Sequence, residues 1–171
     1  MNFLGGGAAI NVLAKHAGAE IVILDAGVAA DLPAHPSLRS VKIGRGTANI
    51  SVGPAMTREQ AIRCLEIGIE TSQEQIADGS DLLACGDMGI GNTTPSSAIT
   101  SVITGAGTDV TTGRGTGLDD AGLAHKASVV QRAIDLNHPD PKDGLDVLMK
   151  VGGFEIGVLA GVFLGAAAGH R

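Results

Sequence analysis

A glycine-rich segment, Gly86-Asp-Met-Gly-Ile-Gly-Asn-Thr-Thr-Pro95, most constrains the fold, because it lies between a short apolar run and a stretch with helical spacing. The apolar run from Asp81 to Gly86 predicts a buried strand. Pro95 suits the first position of a helix that runs to about Thr104 and is capped by Thr94 or Thr93. A strand that turns through glycines into a helix is typical of α/β proteins, which bind ligands at the carboxyl ends of their strands.

The same alternation of strand and helix extends along the chain. Residues 20–25 predict a buried strand with Asp25 at its carboxyl end, where Asp25 is either part of the strand-end structure or a site residue. Thr57 and Gln60 form a capping box that predicts a helix to about Ala77. Helices are also predicted for residues 3–16, 120–137 and 144–150 and from Gly153, with a short strand at 40–43. The pattern predicts one α/β domain over residues 1–171, three-layered and Rossmann-like, with a mainly parallel sheet.

Glycine content determines how this domain can pack. The chain has 26 glycines and only 2% aromatic residues, which predicts an aliphatic core with closely packed helices. Gly157, Gly161 and Gly165 are four residues apart on one predicted helix face, where another backbone can approach. The apolar run 151–168 contains these glycines and Glu155, so we interpret it as a packed helix rather than a membrane span.

Charge and cysteine usage exclude several classes of partner. A formal net charge of -6 argues against nucleic-acid binding, which requires clustered Lys and Arg. Cys64 and Cys85 lack the spacing of metal ligands, so we interpret both as buried thiols in a reducing cytoplasm without a redox or metal role. The first residues have no basic region or small-residue cleavage site, so secretion is not indicated.

The glycine-rich turn is the strongest candidate for a binding site. Glycines at 86, 89 and 91 would let backbone amides approach an anion, and the helix that follows offers free N–H groups and a positive dipole end. Asn92, Thr93 and Thr94 add groups suited to phosphate or ribose oxygens. The segment lacks the Lys of a P-loop and the third Gly of the dinucleotide fingerprint, so a mononucleotide is favoured. A purely structural glycine turn remains the alternative.

Two further features could complete such a site. The loop from Gly113 to Gly117 could close over the ligand, with Lys126 on the next predicted helix as a charge for its phosphate or as an ordinary surface lysine. Asp87 could accept hydrogen bonds from ribose or stabilise positive charge at the anomeric carbon, or it could be a turn carboxylate.

The segment Gly86 to Pro95 is very similar to the hallmark stretch of the nicotinate-nucleotide:dimethylbenzimidazole phosphoribosyltransferases. The resemblance covers nearly the whole chain, because further matching segments follow in family order. These are Phe3-Leu-Gly-Gly-Gly-Ala-Ala-Ile-Asn11, Leu24-Asp-Ala-Gly-Val28, Gly46-Thr-Ala-Asn49, Ala55-Met-Thr-Arg58, Gly115-Thr-Gly-Leu-Asp-Asp120 and Val151-Gly-Gly-Phe-Glu-Ile156.

The resemblance implies a reaction in which nicotinate mononucleotide donates its phosphoribosyl group to 5,6-dimethylbenzimidazole during cobalamin biosynthesis. The products would be α-ribazole 5'-phosphate and nicotinate, with no cofactor and no metal. Lys126 and Gly115 would lie near the phosphate, and Asp87 stands where many relatives carry the longer Glu. The other contacts to the mononucleotide would come from the turn, through Gly89, Gly91, Asn92, Thr93 and Thr94.

The resemblance also implies a longer, homodimeric enzyme. Family members extend further at both ends, and their proposed catalytic base is a Glu in a Gly-Glu-Gly segment beyond the position of Arg171. We therefore expect a truncated chain that is inactive alone. The alternative is a non-catalytic mononucleotide-binding fragment or assembly module. A weaker third hypothesis is a dinucleotide-dependent oxidoreductase.

Overall fold

The computed structural model describes residues 2–115 and 117–169. The chain divides into two compact units, and the boundary lies between Arg45 and Gly46. The first unit contains α1 (Ala9–Ala17), β1 (Ile23–Asp25) and β2 (Leu38–Ser40). The second contains α2 (Arg58–Ala77), α3 (Thr93–Thr104), α4 (Thr108–Thr111), α5 (Asp120–Asn137), α6 (Gly144–Val151) and α7 (Phe154–Ala168).

A parallel pair of strands organises the first unit. β1 and β2 pair in the register Ile23 with Leu38 through Asp25 with Ser40. Asp25 is 3% exposed, and its Oδ1 accepts hydrogen bonds from the backbone N–H groups of Gly27 (3.1 Å) and Val28 (2.8 Å). Lys42 Nζ lies 3.1 Å from Asp25 Oδ2. Both carboxylate oxygens therefore hold the strand end together, which favours the structural interpretation of Asp25.

The elements of the first unit are shorter than predicted. α1 begins at Ala9 because the side chain of Asn11 holds the preceding turn, accepting from Ala8 N (3.0 Å) and donating to Phe3 O (3.1 Å). α1 ends at Gly18, which adopts the left-handed conformation (φ 69°) predicted for a C-cap. The strand predicted at 40–43 lies two residues earlier, at Leu38–Ser40.

Helices build the second unit, and two of them begin and end as predicted. α2 starts at the predicted capping box, in which Gln60 N donates to Thr57 Oγ1 (3.2 Å) and Thr57 N donates to Gln60 Oε1 (2.9 Å). α5 begins after Asp119, whose carboxylate accepts a hydrogen bond from Gly122 N at 2.8 Å. Its end at Asn137 coincides with the prediction, because His138 follows in a left-handed conformation.

α2 and α7 pack through the glycines that the sequence singled out. A Cβ placed on Gly161 would lie 2.9 Å from the Cα of Leu65, and one on Gly157 would lie 2.5 Å from the Cβ of Cys64. Gly68 of α2 makes the reciprocal approach, because a Cβ there would lie 2.6 Å from Val162 N. The two helices are therefore in backbone contact, as the spacing of the glycines predicts.

Small aliphatic side chains fill the core, as the composition predicts. Val130, Val147 and Val151 are among the largest fully buried side chains. Cys64 is fully buried as expected, and burial raises the pKa of its thiol to about 12. Cys85 is only partly covered, contrary to the expectation of a buried thiol, although burial still raises the pKa of that thiol.

The predicted strand at 81–86 does not form. Residues 81–89 have no regular secondary structure, and Leu82 is 87% exposed. A strand needs a neighbour for its backbone N–H and C=O groups. Within the described ranges the sheet has two strands, both in the first unit, so this segment has no partner strand there. The prediction of an α/β protein with a parallel sheet is confirmed. The strand predicted at 81–86 is wrong.

α7 confirms the interpretation of the apolar run 151–168 as a packed helix. This helix has 15 residues and ends at Ala168, and Gly157, Gly161 and Gly165 are buried in it. Among helices of the described residues, none is both long and apolar enough to cross a bilayer.

Candidate functional site

The glycine-rich turn is closed on itself by Asp87. Asp87 Oδ1 accepts a hydrogen bond from Gly89 N, and Asp87 Oδ2 accepts one from Asn92 Nδ2 at 3.2 Å. Gly89 (φ 70°) and Gly91 (φ 76°) both adopt left-handed conformations that favour glycine. Nothing lies within 4 Å of a Cβ placed on Gly91, so the turn is open to a ligand at that residue.

α3 starts directly at this turn, two residues earlier than predicted. Asn92 occupies the N-cap position in a helical conformation, and its side chain makes no capping hydrogen bond. The prediction of a Thr93 or Thr94 cap is therefore wrong, since both belong to the first turn of α3. Pro95 fits at the third helical position because the N–H groups of the first turn have no partner within the helix. The amides of Thr93 and Thr94, with the positive end of the helix dipole, thus lie next to the glycine turn.

Lys126 joins the second glycine loop to the start of α3. Its Nζ donates hydrogen bonds to Thr93 Oγ1 (2.9 Å) and to Gly113 O (3.2 Å). A Cβ placed on Gly115 would lie 3.5 Å from both Lys126 Nζ and Thr93 Oγ1. The structure therefore brings together Thr93, Gly115 and Lys126, three of the residues singled out in the sequence.

The second glycine loop is folded against the start of α5. The guanidinium of Arg114 pairs with the carboxylate of Asp120 and donates to Leu118 O at 2.9 Å. Gly113 and Gly115 thereby lie beside Lys126, whose ammonium has one hydrogen left for a further acceptor. Thr116, within the same loop, lies outside the described residues.

A cavity of about 280 Å³ lies between α3, the second glycine loop and Lys126. Several hydroxyls on its wall donate hydrogen bonds to backbone carbonyls of α3. Ser97 Oγ donates to Thr93 O (2.9 Å) and Thr100 Oγ1 donates to Ser96 O (2.8 Å). Their oxygens are left as acceptors, and Lys126 is the cation of this wall. The lining residues are Asn92, Thr93, Ser96, Ser97, Thr100, Thr111, Gly113, Gly115 and Lys126.

Not every predicted site residue lines this cavity. Asp87, Gly89, Gly91 and Thr94 lie outside its wall, and Asp87 is connected to it through Asn92. A larger depression of about 480 Å³ lies along α5 at Ser128, Gln131, Arg132, Asp135 and Leu136. It is more open, and its residues all belong to one helix, so the smaller cavity has the better chemistry for a small polar ligand.

Glu155 is a site residue that the local sequence pattern does not predict. It lies in the first turn of α7, and its Oε1 accepts a hydrogen bond from Asn92 Nδ2 at 3.2 Å. Asn92 is thus bonded to two carboxylates, those of Asp87 and Glu155. Glu155 does occur in the matching segment Val151-Gly-Gly-Phe-Glu-Ile156, but no local spacing connects it to Asn92.

The arrangement separates positive and negative charge around the start of α3. Lys126 supplies positive charge at the cavity, whereas the carboxylates of Asp87 and Glu155 do not line the cavity and are hydrogen-bonded to Asn92. Across residues 2–115 and 117–169, no three His, Cys, Asp or Glu side chains gather as metal ligands. Free amides, hydroxyls and a lysine next to carboxylates suit a ligand that carries both a phosphate and a hydroxylated sugar.

The fold is that of an α/β protein with a polar cavity beside the start of a helix, and a family model assigns the class. The model for the family "Phosphoribosyltransferase" matches residues 1–171, so the chain belongs to that family.

Curated relatives within this family share one enzyme name. The chain is 62% identical over 168 residues to the nicotinate-nucleotide:dimethylbenzimidazole phosphoribosyltransferase of Roseiflexus castenholzii, covering 98% of this chain and 48% of that protein. It is 59% identical to the enzyme of that name from Chloroflexus aggregans, again covering 98% of this chain and 48% of that protein. The chain therefore spans about half the length of the curated relatives that it matches.

Solved structures agree with this family. The crystal structure of CobT from Thermus thermophilus superposes with a TM-score of 0.91 at 46% identity, over 98% of this chain and 50% of that one. A nicotinate-nucleotide-dimethylbenzimidazole phosphoribosyltransferase structure from the same organism gives 0.88 at 43% identity, over 98% and 49%. These matches confirm the predicted family and its α/β fold.

Proposed function

We propose that this chain supplies the mononucleotide-binding part of an enzyme that transfers the phosphoribosyl group of nicotinate mononucleotide to 5,6-dimethylbenzimidazole. The products are α-ribazole 5'-phosphate and nicotinate, in cobalamin biosynthesis. The names of the relatives support the reaction. The observation that carries the proposal is the position of Lys126, whose ammonium is tied to Thr93 Oγ1 at the amino end of α3.

The phosphate of the mononucleotide binds between Lys126 and the start of α3. The ammonium donates its remaining hydrogen to a phosphate oxygen, and the amides of Thr93 and Thr94 point toward the same charge. Gly115 leaves open the space in which a Cβ would lie 3.5 Å from both Lys126 Nζ and Thr93 Oγ1. A cavity of about 280 Å³ has room for a phosphoribosyl group.

The sugar lies along the glycine-rich turn. Gly89 and Gly91 allow the backbone to approach the ribose, and Asn92 bonds one of its hydroxyls. The carboxylate of Asp87 stabilises the positive charge that develops at the anomeric carbon as the bond to nicotinate breaks. A nitrogen of the benzimidazole attacks the opposite face, which inverts the β linkage to α, and its other nitrogen gives up a proton to a base. By the resemblance, that base is a Glu of a Gly-Glu-Gly segment outside this sequence.

The assembly and location of the protein belong to the same proposal. By the resemblance it is a homodimer, and its two free thiols fit a cytoplasmic enzyme. Neither nucleic acid nor a membrane is a proposed partner, and no cofactor or metal is proposed. The cavity residues and the turn all lie in the second unit, which begins at Gly46.

Titration with nucleotides tests the proposed function. Isothermal titration calorimetry of the purified protein is expected to show tighter binding of nicotinate mononucleotide than of NAD. Tighter binding of NAD would refute the proposal in favour of an oxidoreductase. Incubation with nicotinate mononucleotide and dimethylbenzimidazole, followed by chromatography, then distinguishes catalysis from the non-catalytic module. Formation of α-ribazole 5'-phosphate indicates that this chain is catalytic alone, and binding without product indicates a chain that binds the mononucleotide but lacks the catalytic base.

Replacing Gly91 with valine is expected to lower the affinity for nicotinate mononucleotide about tenfold or more. The left-handed conformation (φ 76°) costs roughly 1–2 kcal/mol with a side chain, so the turn would change shape at the ribose. Gly105→Val is the matched control, because Gly105 has the same left-handed conformation (φ 71°) and equally open surroundings at the other end of α3. The control should lose similar stability in thermal unfolding and keep the affinity. Equal affinities for both variants would contradict a ligand role for the turn.

A further inference from the structure

Glu155 connects α7 to the turn that leads into α3, across 63 residues of sequence. Two features of α7 hold its carboxylate in place. Its position in the first turn places negative charge at the positive end of the helix dipole. The carboxylate also folds back over Gly153, where an added Cβ would lie 2.8 Å from Glu155 Oε2. A glycine at this N-cap position therefore leaves room for the bond to Asn92.

The bonds to Asn92 determine which end of its side-chain amide is free. Nδ2 has two hydrogens, and it lies 3.2 Å from Asp87 Oδ2 and 3.2 Å from Glu155 Oε1. Carboxylate oxygens only accept, so the nitrogen and not the oxygen of the amide must face them. Both donors of Asn92 are thus used, and Oδ1 remains as an acceptor on a residue that lines the cavity.

We propose that Glu155 is a positioning residue that fixes Asn92 so that Oδ1 accepts a hydrogen bond from a ribose hydroxyl of the bound mononucleotide. The inference rests on the proposed function. With Asp87 as the only carboxylate on Nδ2, the second hydrogen of Nδ2 would be free to be presented to the sugar as a donor instead. Two carboxylates use both hydrogens of Nδ2, and each of them opposes a flip that would place Oδ1 against another acceptor.

Glu155→Ala and Glu155→Gln separate positioning from a general effect on the fold. The alanine variant is expected to bind nicotinate mononucleotide about tenfold more weakly, because Asn92 loses one of its two acceptors. Its affinity for inorganic phosphate should stay within about twofold, since Lys126 and the start of α3 are unchanged. Gln keeps an oxygen at the position of Oε1, so Glu155→Gln is expected to restore the mononucleotide affinity to within about threefold. Titration calorimetry measures each value.

A double-mutant cycle with Asn92→Ala identifies the route of the effect. Because Glu155 acts through Asn92, Glu155→Ala should have no further effect on mononucleotide affinity once Asn92 is alanine. Independent losses in the two variants would overturn the inference, as would unchanged affinity in Glu155→Ala or an equal loss of phosphate binding. If Glu155→Ala does not fold, Asn92→Ala still decides, because unchanged mononucleotide affinity in that variant removes the proposed contact. Failure of the unsubstituted protein to bind nicotinate mononucleotide would instead count against the proposed function.

Discussion

Gly161→Ala is expected to lower the free energy of unfolding by roughly 3 kcal/mol, despite the higher helix propensity of alanine. The new Cβ would lie 2.9 Å from the Cα and the carbonyl carbon of Leu65, and these backbone atoms cannot move without displacing α2. Gly157 and Gly165 fix the same close approach on either side, so the two helices cannot separate at one point alone. For a chain of this size, thermal unfolding should shift down by roughly 6–12 °C.

Gly144→Ala is the matched control for this substitution. Gly144 is the first residue of α6, and nothing lies within 4 Å of a Cβ placed there. The control should be neutral or slightly stabilising, because alanine reduces the conformational freedom of the unfolded chain. Urea unfolding of both variants gives the comparison. Equal stabilities would mean that α2 and α7 are not in the backbone contact described above.

The sequence predicts best those helices whose ends carry their own chemical signals. α2 begins at the capping box of Thr57 and Gln60, and α5 begins at Asp120, directly after its N-cap residue Asp119. Each signal acts within a few residues, so no knowledge of the rest of the fold is needed. The glycine spacing in α7 similarly predicts a close helix contact, although it does not identify α2 as the partner.

Predictions fail where an element depends on distant neighbours. The apolar run at 81–86 has the composition of a buried strand, but strand pairing is decided by other segments, and the described ranges supply none for it. The preference of Pro95 for the first helical position predicts a cap at residue 93 or 94. The helix instead starts earlier, at Thr93, and its N-cap residue is Asn92, whose side-chain amide is bonded to Asp87 and Glu155.

In the candidate site, too, local features could be predicted from the sequence and long-range contacts could not. Its glycines, Thr93 and Lys126 could be singled out because turn chemistry and helix termini are local features of sequence. Glu155 could not, since its connection to Asn92 spans 63 residues and depends on how α7 packs. Tertiary contacts of this kind leave no spacing in the sequence, so the resemblance to a family was the only signal that included it.

Lys126→Ala is expected to weaken binding of nicotinate mononucleotide by about tenfold to a hundredfold. Hydrogen bonds to charged groups contribute about 1.5–3 kcal/mol, which corresponds to this range. The loss should be specific to the phosphate, so nicotinate riboside, which lacks the phosphate, should bind both proteins with similar affinity. Titration of each ligand at several salt concentrations provides a second readout, because the salt dependence of mononucleotide binding should become weaker in the variant.

Arg132→Ala is the control for the loss of one positive charge. Arg132 lies on α5 as Lys126 does, but it is exposed at the depression along that helix and does not line the candidate cavity. Its removal should leave mononucleotide affinity nearly unchanged, because exposed charges outside the site are screened by salt. Lys126→Arg is expected to restore only part of the affinity, since a planar guanidinium does not fit between Thr93 Oγ1 and Gly113 O as a compact ammonium does. Equal losses for Lys126→Ala and Arg132→Ala would show that net charge, and not the ammonium held at the start of α3, attracts the phosphate.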